Sequence, residues 1–159
     1  MNSIYKRTIR CQGAILRGHY LLLIRHQRHA DGSSYWLLPG GGLEQGETPE
    51  GCLLREMKEE TNLDVRIERL LMEDDATQFP DSYYEKRLTF LCTPLSDEAQ
   101  PGYEPEAEAS ANYAIVEVRW VDLRDPADCL ELVQGDLWAY PTLLRIRSLL
   151  GYDSSRQGD

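Results

Sequence analysis

Between Gly41 and Leu63 the chain reads GGLEQGETPEGCLLREMKEETNL, and this run dictates a local structure before anything else is known. Gly40, Gly41 and Gly42 permit backbone angles and close approaches that side chains forbid. Thr48 followed by Pro49 supplies a helix N-cap and a proline at the first helical position, and Glu50 adds negative charge to the first turn. A helix is therefore expected from Pro49 to about Thr61. It should end at Asn62, which tolerates the left-handed conformation of many helix C-termini.

On that helix Glu56, Glu59 and Glu60 fall at about 0°, 300° and 40°, so the three carboxylates project within an arc of about 100°. Leu53, Leu54 and Met57 fall on the neighbouring side, which is the side expected to pack into a core. Like charges at these spacings cost a helix roughly 0.2–0.5 kcal/mol per pair, and burial at the edge of a packed face adds to the strain. A divalent cation would relieve it, and oxygen ligands suit Mg2+ or Mn2+. An isolated E-x-x-E-E on a helix is usually a solvated acidic face. Here it belongs to a longer spacing, G-x5-E-x7-R-E-(apolar)-x-E-E-x-x-(apolar), carried by Gly41, Glu47, Arg55, Glu56, Met57, Glu59, Glu60 and Leu63. Chance would produce that match on the order of once per million chains of this size.

The spacing resembles the Nudix box, the signature of hydrolases that cleave a nucleoside diphosphate joined to another group. The resemblance implies an α/β (α+β) Nudix fold, a mixed β-sheet sandwiched between α-helices, and Mg2+- or Mn2+-dependent attack of water on a pyrophosphate phosphorus. Carried over by position, Glu56, Glu59 and Glu60 are the implied metal-binding side chains, with the backbone carbonyl of Gly40 as a further ligand. Arg55 and Glu47 match the pair in which the arginine orients catalytic carboxylates and the glutamate supports the loop. Glu59 and Glu56 are the box candidates for general base; Glu104, Glu106 and Glu108 are candidates in a later loop. The one departure is Asn62, where the family has glycine.

The remaining sequence supports one domain, 1–152, followed by a short flexible tail, 153–159. Strands are expected over Tyr5–Leu16, Tyr20–Arg25, Tyr35–Leu38, Val65–Phe79, Tyr83–Pro94 and Glu117–Val121, a polar loop over His26–Ser34, an acidic loop over Ser96–Asn112, and a last helix over Leu137–Leu150. No apolar run approaches the length of a membrane span, and the start of the chain is charged and alternating, so the expectation is a cytoplasmic protein. The formal net charge of −10 argues against a nucleic-acid partner, because such a surface repels phosphate. A nucleotide-derived small molecule would need a bound cation to mediate its contact with so acidic a site. Cys11, Cys52, Cys92 and Cys129, like His19, His26 and His29, lack zinc-ligand spacing.

For the substrate, Arg25 and His26 at a strand end, with Gly41 and Gly42 in the glycine turn, are candidate phosphate contacts. Trp36, Tyr35, Phe79, Tyr83, Tyr84 and Tyr140 are candidates to stack on a base. The group joined to the nucleotide is not identified, since Pro80 and Tyr83–Tyr84 match no subfamily offset cleanly. Two other classes fit the sequence less well. A silent Nudix-fold binding or regulatory module should have lost box carboxylates, and all are present; a serine or thiol hydrolase needs a nucleophile motif, and no G-x-S-x-G surrounds any serine of this sequence. Many relatives in the family are dimers, so a homodimer stays open.

Overall fold

The computed structural model describes residues 9–77, 84–96, 98–102 and 112–153. Its centre is strand β1 (Ile9–Arg17), whose alternation sends Cys11 and Ile15 to one side and Ala14 to the other. A turn at Gly18 leads into β2 (Tyr20–Arg28), and only Leu16–Leu21 and Arg17–Tyr20 pair before the two strands part. Strand β2 then pairs with β3 (Ser34–Leu37) on one side and β7 (Tyr113–Asp122) on the other, both antiparallel. Strand β1 pairs with β4 (Gly40–Gly42) antiparallel and with β6 (Lys86–Pro94) parallel; β6 continues antiparallel to β5 (Val65–Asp75). The sheet order is β3-β2-β1-β6-β5, with β4 beside β1 and β7 beside β2.

Helix α1 (Pro49–Thr61) covers one face, where Cys52, Leu53 and Met57 pack with Cys11, Ile15, Leu88 and Phe90. On the other face a short helix α2 (Pro126–Cys129), a 3-10 turn (Glu131–Val133) and helix α3 (Ala139–Leu149) bury Cys129, Val133, Leu143 and Ile146 against Leu21, Leu23 and Trp36. The expected mixed sheet between helices is therefore what the chain forms. Among the described residues no helix is long and apolar enough to cross a membrane.

Helix α1 has the bounds expected of it. Thr48 Oγ1 accepts from the Gly51 amide at 3.0 Å, and Asn62 closes the other end at φ 65° with its amide donating to Lys58 O. Its buried side is turned from the expected one: Leu54 is exposed, and Cys52 takes the place beside Leu53 and Met57.

Other differences are informative. Strand β2 runs on to Arg28 because His26 and Gln27 find partners on both β3 and β7, so no loop begins at His26. The glycines 40–42 form a strand rather than a free turn. Strand β7 begins at Tyr113, earlier than Glu117, and α3 begins at Ala139 rather than Leu137. Helix α2 was not expected, although Asp125 caps it and Pro126 opens it. Tyr5–Thr8, Phe79, most of the segment 96–112 and the tail from 154 lie outside the described residues.

Candidate active site

Pairing of β1 with β4 sets Gly40, Gly41 and Gly42 opposite Gln12, Cys11 and Arg10. A Cβ on Gly41 would run into the Glu56 carboxylate, so only glycine lets that carboxylate lie against β4. The Gly40 amide donates to Glu60 Oε1 at 2.7 Å. Glu56 and Glu60 are each 1% exposed, whereas the Glu59 side chain keeps 19% exposure. The strand of glycines thus acts as the wall against which the helix presents the Glu56 and Glu60 carboxylates.

The Arg55 guanidinium holds them there. Its Nε and Nη2 donate to the two oxygens of Glu47 at 2.7 and 3.0 Å, and its Nη1 donates to Glu56 at 3.2 Å and to Glu59 at 3.0 Å. The Glu44 amide also donates to Glu47, which ties the loop before the helix to the same arginine. The hydrogen bond from Arg55 holds the Glu47 carboxyl below its ordinary pKa. Glu47, followed by the charges of Glu56 and Glu59, raises the Arg55 pKa against the opposing effect of burial. A fork of this kind fixes direction as well as charge, which an ammonium cannot do.

The donor set is all oxygen, on nearly buried carboxylates beside a glycine wall, and its chemistry suits a hard divalent cation. Among the described residues no three acidic, histidine or cysteine side chains are gathered around one cation-sized point. Arg55 Nη1 bridges Glu56 and Glu59, and Glu60 is directed to the Gly40 amide. A cation would therefore compete with the arginine for the same oxygens.

On the opposite face of the sheet lies a cleft of about 680 Å3, whose lining includes Arg10, Gln12, Trp36, Tyr84, Arg87 and Trp138. Its volume lies within the ~300–1,000 Å3 usual for small-molecule sites. Arg10 belongs to both regions: its Nε donates to Gln12 and its Nη2 to Leu38 O, and it feels the charges of Glu60 and Glu56. Burial works to lower its pKa, and Tyr84, Glu60, Tyr113 and Glu56 together outweigh that effect and raise it.

Of the aromatic candidates, Tyr35, Trp36 and Tyr84 line the cleft, whereas Tyr140, on α3, packs against the core. Arg25 pairs with Glu117 at 3.2 Å and donates to Ser34, and it does not itself line the cleft. His26 is buried, stacked on Tyr113 with ring centroids 4.0 Å apart and with Nδ1 3.1 Å from the Tyr35 hydroxyl. Burial first, then Arg10 and Arg28, lowers its pKa to about 3, so it is neutral in the folded protein. Glu104, Glu106, Glu108, Phe79, Pro80 and Tyr83 lie outside the described residues. Sequence reasoning missed Arg10, Gln12, Arg87 and Trp138. The available signal was polar residues at alternate positions of β1 and β6, Arg10–Gln12 and Arg87–Thr89, in otherwise apolar strands.

A family model described as the NUDIX domain matches residues 8–143. A region of 64 residues is 47% identical to an 8-oxo-dGTP diphosphatase of Proteus vulgaris, covering 40% of this chain and 55% of that protein. Another, of 96 residues, is 30% identical to a putative ADP-ribose pyrophosphatase of Bacillus subtilis, covering 58% of this chain and 44% of that protein. The chain therefore spans about half the length of these relatives. Among solved structures, an ADP-ribose pyrophosphatase of Streptococcus suis superposes with a TM-score of 0.59 at 23% identity, covering 94% of both chains, a likeness of fold.

Proposed function

This chain belongs to the Nudix hydrolase family, and we propose that it hydrolyses a pyrophosphate bond in a nucleoside diphosphate derivative, using Mg2+ or Mn2+ held by Glu56, Glu59, Glu60 and the Gly40 carbonyl. The observation that carries this reading is the Arg55 guanidinium joined to Glu47, Glu56 and Glu59, beside a glycine strand that takes the Glu56 carboxylate against Gly41 and the Glu60 carboxylate on the Gly40 amide. A divalent cation bound there supplies charge to neutralise phosphate oxygens and to make water a better nucleophile. The protein's own part is positional. Arg55 directs Glu56 and Glu59, Glu47 anchors Arg55 and the loop, and the Gly40 amide fixes one oxygen of Glu60. Glu59 is the most exposed of the three carboxylates, which supports it as the group that takes the proton from the attacking water. Gly41 and Gly42 present backbone without side chains to the phosphates. The products in this reading are a nucleoside monophosphate and the phosphorylated remainder of the substrate.

The test is a panel of nucleoside triphosphates, nucleotide sugars, ADP-ribose, dinucleoside polyphosphates and dinucleotide cofactors, incubated with the full chain and Mg2+ or Mn2+. Cleavage of at least one compound at a pyrophosphate bond is expected, with most turnover lost in folded Glu59→Gln and Glu60→Gln. Hydrolysis of none, or full turnover in both variants, would overturn the assignment.

A further inference from the structure

Strands β1 and β6 lie parallel with Arg10 directly opposite Arg87 and Gln12 directly opposite Thr89. Residues two apart on a strand share a face, so these four side chains form a polar block on the face away from α1, and Arg10, Gln12 and Arg87 of that block line the cleft. Gln12, Arg87 and Thr89 are each less than 5% exposed, and Gln12 Nε2 donates to Thr89 Oγ1 at 2.9 Å. Like charges opposite one another destabilise a sheet, and burying one of them costs more. Asp74, opposite Arg87 on β5, offsets one charge through a 2.8 Å ion pair, and Thr142 on α3 accepts from the same nitrogen. The Arg10 charge is favoured by Tyr84 first, then by Glu60, Tyr113 and Glu56, and those two glutamates are carboxylates proposed above to hold a cation.

The walls of this cleft are flat rings. Trp138 lies over the Arg87 guanidinium, with 5.9 Å from the guanidinium carbon to the ring centre, and Trp36, Tyr35 and Tyr84 also line it. Among the described residues the charged lining is mostly cationic: Arg10, Arg28 and Arg87 against one carboxylate, Asp136, which accepts from the Trp138 and Ala139 amides. Among the described residues, bonds to Gln12 and Leu38 occupy two of the five N–H donors of Arg10. The Gln12 amide, the side chain that would best pair with adenine's donor–acceptor edge, is already committed to Thr89 and Arg10.

We propose that the Arg10–Arg87 cross-strand pair and its ring-lined cleft bind the substrate's base, and that they select a 6-oxopurine, guanine or hypoxanthine, over adenine. Two adjacent acceptors, O6 and N7, face a guanidinium in the first case. In the second, the N6 amino group meets another donor. This inference rests on the pyrophosphohydrolase reading for its substrate class and adds which base the site accepts.

The experiment measures binding of GMP, IMP and AMP by tryptophan fluorescence in EDTA, where no turnover occurs, with ribose 5-phosphate and inorganic phosphate as competitors. Arg10→Gln and Arg10→Lys are compared with the wild type after circular dichroism confirms folding. GMP and IMP are expected to bind about tenfold or more tighter than AMP. Both variants should lose most of that preference, since lysine keeps the charge and loses the fork. AMP binding as tightly as GMP would overturn the proposal. So would ribose 5-phosphate competing as well as GMP, because the pair would then be reading phosphate. Selective GMP binding with no hydrolysis of any compound would instead remove the reaction reading and leave the base site standing.

Discussion

Replacing Arg55 with alanine removes four hydrogen bonds to three carboxylates in one step. Glu56, at 1% exposure, loses a cationic partner in a nearly dry setting, which alone costs about 3–5 kcal/mol in fully buried pairs. The Glu47 and Glu59 side chains keep 17% and 19% exposure, so their contributions fall toward the ~0–1 kcal/mol of surface pairs. Because Arg55 itself is 25% exposed and water can enter behind it, the whole loss should be about 2–4 kcal/mol. For a chain of this size that is a fall of about 4–16 °C in Tm. Arg55→Lys separates charge from direction. It keeps the attraction, so the melting point should recover by about half, while kcat stays about a hundredfold low because a point charge cannot hold Glu56 and Glu59 in one geometry. Thermal melts in EDTA and initial rates with Mg2+ make the comparison. Wild-type turnover in Arg55→Lys would refute the positioning role, and an Arg55→Ala melt within 1 °C of wild type would refute the energetics.

The other expectations are narrower. Gly41→Ala drives a methyl group into the Glu56 carboxylate, so turnover should fall about a hundredfold and stability by about 1–3 kcal/mol; near-normal rates would show that Glu56 can move away without consequence. His26 has its folded pKa at about 3 against an ordinary 6.5, so its contribution to stability is fully present above pH 6.5 and is lost as pH falls toward 3. Between pH 7 and 5 the loss is about 2 kcal/mol, or roughly 4–8 °C in Tm, and His26→Phe should flatten that slope in melts across the range; an unchanged slope would assign it to other groups. Asn62→Gly relieves the one non-glycine residue with positive φ among the described residues, and should raise Tm by about 1–4 °C with kcat unchanged.

The box helix was legible because its signals are local: Thr48, Pro49 and Asn62 mark its ends, and the acid spacing picks out the side that carries its carboxylates. Which apolar residues it buries was only partly legible. Cys52 faces Gly41 O and the Arg55 guanidinium, and that contact, set by tertiary packing, rotates Leu54 outward. The glycine strand carries no side-chain periodicity at all, so its pairing with β1 cannot be read from its letters. The cleft was hidden for a related reason. Arg10 and Arg87 become neighbours only through a parallel pairing across 77 residues, and Trp138 joins them only when α3 packs over the sheet. His26 gave the opposite lesson: a polar residue at an expected strand end reads as a candidate phosphate contact, yet it is buried between two tyrosine rings.

The central claim is that the face formed by Glu56, Glu59 and Glu60 binds the divalent cation that hydrolysis requires. Titration of the full chain with Mn2+, following the free-ion signal by electron paramagnetic resonance, tests it without a substrate. Binding is expected in the wild type, weakened at least about tenfold in Glu59→Gln and Glu60→Gln, with far-UV circular dichroism unchanged. Equal Mn2+ binding by all three proteins would contradict the account.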